Sequence, residues 1–152
     1  MAEFTNNPIQ TVQPNQQVLL NTTIGCPKGY VIHREGSGIV TLRGIVNNAC
    51  GCFARYQVTF NSNIALPEGA TLGPISVAVA IDGEPVQTSK AIVTPAAVDE
   101  YFNVTSTAII TVPRGCCFNI SVENTSESLT PATTPAPPIN VQNANMVVTR
   151  IA

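Results

Sequence analysis

Residues 73–97 read GPISVAVAIDGEPVQTSKAIVTPAA, and this stretch decides the fold class. Ile75, Val77, Val79 and Ile81 alternate with Ser76, Ala78, Ala80 and Asp82. A period of two places the first set on a strand face packed on a core and the second on a face of small or polar groups. Asp82-Gly83 supplies a tight turn, because glycine tolerates positive φ and aspartate bonds the backbone that follows it. Residues 86–93 then return antiparallel, which makes a hairpin.

The same grammar of short apolar runs closed by Gly, Pro or Asn extends outward from this hairpin. Strands are predicted at residues 18–24, 30–33, 39–46, 52–64, 101–112, 117–123 and 139–151. In the fourth of these, Phe53, Tyr56, Val58 and Phe60 are the bulky members, and the change of face between Phe53 and Tyr56 predicts a bulge near Ala54-Arg55. Residues 126–138, SESLTPATTPAPP, form an extended surface loop because consecutive prolines cannot donate to a ladder. No helix longer than a turn is expected. The whole reads as one all-β domain over residues 17–152, an antiparallel jelly-roll sandwich of about eight to ten strands.

Residues 1–16 carry Asn-Pro and Gln-Pro pairs without periodicity, and so read as an extended N-terminal arm. Phe4, Ile9 and Val12 are its isolated apolar anchors, suited to attachment by strand addition to a neighbouring sheet edge.

Composition narrows the function classes. Charged residues make up 11% of the 152 and the formal net charge is -2, which gives no electrostatic footprint for nucleic acid and no polybasic membrane anchor. No apolar run reaches the roughly 18 to 20 residues of a membrane-crossing helix. The first residues lack the basic flank and apolar centre of a secretory signal. A surface built from Asn, Thr, Ser and Gln suits an extracellular or particle-coating protein.

Catalytic constellations are not expected, and neither is a cofactor. His33 is the single histidine, set beside Arg34 and Glu35 at a strand end, where a surface or interface role is the commoner one. The carboxylates fall mostly in turns, so a glycosidase pair is not spelled out. Gly36-Ser37-Gly38 precedes strand-like residues, not the helix that a phosphate loop requires. Four sites match the N-glycosylation acceptor pattern, a match that chance explains in a chain this rich in Asn and Thr.

The cysteines carry the strongest local signal. Jelly-roll loops alternate between two ends, so the turn with Cys50 and Cys52 and the turn with Cys116 and Cys117 are expected at the same end. Their Cys-x-Cys and Cys-Cys spacings differ from the usual zinc pattern. Thiols, disulfides within or between subunits, and a metal cluster of these four all stay open. Five cysteines leave at least one unpaired within the chain, and Cys26 is the one expected to be left over or to reach another subunit.

YQVTFNSNIAL, GPISVAVAIDGEPV, FNVTSTAIITVPRG, CFNISVENTS and NANMVVTRIA, all within residues 38–152, resemble the C-terminal domain of BclA-type collagen-like glycoproteins of the bacterial exosporium. That domain is grouped with tumour-necrosis-factor-like (TNF-like) trimeric jelly rolls. The chain departs from it in having no Gly-X-Y stalk and in its five cysteines. A stalkless version also resembles small virion-associated proteins of phages and prophages of gut Clostridia. The resemblance implies a non-enzymatic homotrimer that decorates or builds the surface of a larger particle. A phage virion comes first (capsid decoration or head fibre), with a capsid or other surface-layer protein as partner of the arm; a spore or cell surface is the alternative. Phe53, Tyr56, Phe60, Phe102 and Val104 are more bulky groups than a thin sandwich needs, and are the expected trimer interface. A carbohydrate- or receptor-binding module of the same fold is the alternative from another class. The absence of Trp, with only Tyr30, Tyr56 and Tyr101 to offer a sugar platform, weighs against it.

Overall fold

A computed structural model describes residues 1–25, 29–128 and 135–152. The strands are β1 (Ala2–Asn6), β2 (Gln10–Val12), β3 (Thr22–Ile24), β4 (Val31–His33), β5 (Val40–Arg43), β6 (Phe53–Ala65), β7 (Ile75–Ile81), β8 (Glu84–Pro85), β9 (Ala91–Val93), β10 (Phe102–Pro113), β11 (Cys117–Asn124) and β12 (Ile139–Arg150). They form two antiparallel sheets. One runs β10-β6-β12-β1-β3, with β2 also on β12; the other runs β4-β5-β11-β7-β8, with β9 also on β7.

The core lies between the sheets and follows the period of two. From β6 it takes Ala54, Tyr56, Val58, Phe60 and Ile64, all fully buried, while Phe53, Arg55 and Gln57 alternate outward. Across the ladder Ser106 faces Phe60 and Ala108 faces Val58, so small groups sit opposite large ones and the pair fits without voids. The second sheet answers with Val40, Leu42, Ile75, Val77, Val79, Ile120 and Val122.

The central hairpin forms as the sequence predicts. Asp82 and Gly83 have φ of 50° and 84°, the paired positive values of a two-residue turn that matches strand twist. Its return limb is broken in two. Val86 still bonds the Val79 carbonyl at 2.8 Å, and then the chain lifts into a single 3-10 turn at Gln87–Ser89 before rejoining as β9. The Ser89 hydroxyl fills the gap by accepting the Val79 N–H at 3.0 Å.

Three expectations need correction. Ser76, Ala78 and Ala80 are buried on the outer face as well, because β7 is central and its small side chains lie beside larger neighbours: Ile92, Glu123 and Pro85. The ladder between β6 and β10 is unbroken from Phe53 to Ile64, so Ala54-Arg55 holds no bulge. The register shift falls in β12 between Gln142 and Asn145, where Asn143 takes φ of 55°.

The N-terminal residues are not a separate arm. Ala2–Asn6 pairs along its whole length with β12, and Gln10–Val12 pairs with the start of the same strand. Phe4 and Val12 are core residues, and Ile9 alone of the three apolar anchors is exposed, at 55%. β1 is paired on both sides, by β12 and β3, and so has no free edge for strand addition elsewhere. Of the Pro-rich loop, residues 126–128 and 135–138 belong to no strand or helix, and 129–134 lie outside the described residues.

Candidate functional site

The outer face of the sheet containing β6, β10 and β12 is broad and carries little charge. Its wider part is an amide and hydroxyl lattice. Asn103 Nδ2 donates to Asn61 Oδ1 at 2.8 Å and to Asn63 Oδ1 at 3.2 Å, and Asn61 Nδ2 donates to Thr105 Oγ1 at 3.3 Å. Asn145 donates to Glu3 at the far side. These polar groups satisfy one another, so the face can be covered with little loss of hydrogen bonding.

One end of the same face is apolar. Ile109 is 63% exposed and Phe53 41%, with Ile151 also exposed. Ile109 lies opposite Gln57, one of the outward set, and Ile151 is bonded to Arg55 through its backbone. The Arg55 guanidinium sits 4.6 Å from the centre of the Phe53 ring, a cation–π contact that shields part of the ring.

Of the five expected interface residues, Phe53 is on this surface. Tyr56, Phe60 and Val104 point the opposite way, into the core, and Phe102 is half-buried at the other end, opposite Ile64. Tyr56 instead ties the sheets together: its hydroxyl donates to the Arg43 carbonyl at 2.6 Å, and burial raises its pKa. The unnamed member of the surface was Ile109. Its parity with Asn103, Thr105 and Thr107 along β10 was the available signal.

His33 is a structural link. Thr23 Oγ1 donates to its Nδ1 at 2.8 Å while Nε2 donates to the Ser37 carbonyl at 3.2 Å, and the ring packs 4.7 Å from that of Phe4. These contacts tie β3, β4 and the turn at Ser37 together through one side chain. Glu123, only 9% exposed on the outer face of the other sheet, has its pKa raised by burial first and by the Glu84 carboxylate second, with the Ser121 hydroxyl opposing.

The two cysteine turns meet at one end, as the jelly-roll connectivity predicts. The Arg114 N–H bonds the Cys52 carbonyl at 2.9 Å, Gly44 N–H bonds the Cys116 carbonyl at 2.8 Å, and Arg114 also reaches the Ala49 carbonyl at 3.3 Å. Cys50, Cys52, Cys116 and Cys117 are exposed thiols. Among the described residues no three His, Cys, Asp or Glu side chains converge as a metal site. Cys26 lies outside the described residues. At another end, a groove of about 210 Å³ between residues 69–74 and 135–138 is lined by Gly, Ala, Thr and Pro with Glu127, and offers no aromatic platform.

Several solved structures superpose on this fold over nearly the whole chain. The globular domain of zebrafish complement 1qA protein superposes with a TM-score of 0.57 at 15% identity, over 96% of this chain and 94% of that one. Eiger TNF from S. frugiperda gives 0.64 at 10% identity, over 100% and 92%. The chain has the TNF-like jelly-roll fold. Murine APRIL, solved at pH 5.0, gives 0.51 at 12% identity over 93% and 98% of the two TNF-like chains. No protein-family model matches the sequence, and no curated protein does.

Proposed function

We propose that this TNF-like chain is a non-enzymatic module that assembles as a homotrimer through the outer face of the β10-β6-β12-β1-β3 sheet. In that form it decorates or builds the surface of a larger particle, a phage virion in the first place and a spore or cell surface in the second. The observation that carries the assembly is Ile109, 63% exposed on the same outer face as Phe53, a face whose amides already bond one another. An apolar group in that setting gains from being covered, and the lattice around it costs little to desolvate. The particle reading rests on the resemblance set out above and on a surface rich in Asn and Thr and poor in charge.

Light scattering tests the assembly: a mass three times the 16.0 kDa chain is expected, and Ile109→Asp should give a folded species of single-chain mass. A single-chain mass for the unaltered protein at every concentration overturns the reading. Gold-labelled antibody on intact virions and spores tests the location, and labelling of neither rejects it.

A further inference from the structure

The cysteine end holds more than accessible thiols, because strand parity sorts the four. On β6, Phe53 faces outward and Ala54 is buried, and Arg114 stands opposite Cys52 as the ladder continues past Pro113↔Phe53. Alternation therefore turns Cys52 away from the Phe53 face, and its Sγ lies 3.9 Å from the Cys50 carbonyl oxygen in the same turn. On β11, Phe118 and Ile120 pack on the core while Cys117 and Asn119 alternate outward. One residue earlier, Cys116 shares the inward parity of Phe118. It closes the turn that crosses from one sheet to the other, with its N–H bonding the Pro113 carbonyl at 3.0 Å across Gly115. Cys52 and Cys116 thus share the inward parity of their two sheets at the same end, and Cys117 does not.

We propose that Cys52 and Cys116 form a thiol–disulfide staple across this end, closed by exchange with a small-molecule disulfide. In the first step the thiolate of one cysteine attacks the small disulfide, forms a mixed disulfide and releases one small thiol. In the second, the other cysteine's thiolate displaces the second small thiol. The protein loses two hydrogens and two electrons, and the small disulfide gains both. Solvent access to both thiols makes the exchange direct, since buried thiols react poorly. The staple lies within one chain and so does not depend on the trimer reading.

The test incubates the full chain with oxidised glutathione, then maps alkylated peptides by mass. A cross-linked Cys52–Cys116 peptide is expected, with a melting temperature about 10 °C higher than in the reduced protein, as a cross-link closing a long loop gives. Cys52→Ser and Cys116→Ser should each abolish the shift, and the Cys50→Ser/Cys117→Ser double variant should keep it. Stable glutathione adducts at both positions, a cross-link joining any other pair, or a disulfide-linked dimer on a non-reducing gel would each overturn the assignment.

Discussion

The buried side-chain amide of Asn124, at the end of β11, donates to the carbonyl of Val12 in β2 at 3.0 Å. The same nitrogen donates to the Pro137 carbonyl at 3.0 Å, and Oδ1 accepts the Ser126 N–H at 3.0 Å. One side chain therefore joins the two sheets and the start of β12. Asn124→Ala leaves buried carbonyls and an N–H without partners, and should lower stability by about 1–3 kcal/mol, measured by urea unfolding.

Removal of residues 1–14 should unfold the sandwich. The deletion strips β1 and β2 from β12 and takes Phe4 and Val12 out of the core. Phe4→Ala alone should cost about 3–5 kcal/mol, as aromatic truncations in cores do. Circular dichroism showing a native, cooperatively melting truncated chain would contradict the strand assignment.

Glu123 makes stability depend on pH. Its folded-state pKa is raised, chiefly by burial, so the folded protein keeps this proton where the unfolded chain has released it. Its contribution is full below the ordinary glutamate range and is lost as pH rises through the raised value. Glu123→Gln should raise the melting temperature at pH 7 by a few degrees and change it little at pH 4.

Gly44 should not accept a side chain. A Cβ there would lie 2.0 Å from the Pro113 carbonyl oxygen and 3.1 Å from that of Cys116, both backbone atoms of the cysteine-bearing turn. Gly44→Ala should destabilise by about 1–3 kcal/mol, seen as a lower urea midpoint, through displacement of that turn.

The fold class was legible because β6 and β10 alternate over seven or more residues each, the pattern of strands packed on one face. The cysteine end was legible because connectivity alone sets it. Facing was harder to read. An assumed bulge at Ala54-Arg55 placed Phe53 and Tyr56 on one face, whereas the unbroken ladder separates them, and residue size does not report direction. The first strand was illegible for another reason. Ala2, Phe4 and Asn6 give only three alternations among polar neighbours, and the partner that makes them a strand is remote in sequence.

That remoteness sets an order of events. β12 is wedged between β6 and β1, and the Glu3–Asn145 contact closes a separation of 142 residues. During vectorial synthesis β1 emerges early and has no partner on β12 until the last strand leaves the ribosome, so this sheet closes only after translation has passed residue 150. Loop closure on that scale makes folding slow and leaves the flank of β6 exposed while it waits. A nascent chain stalled before residue 139 should be protease-sensitive throughout, and one in which residue 150 has cleared the ribosome should gain resistance in a single step.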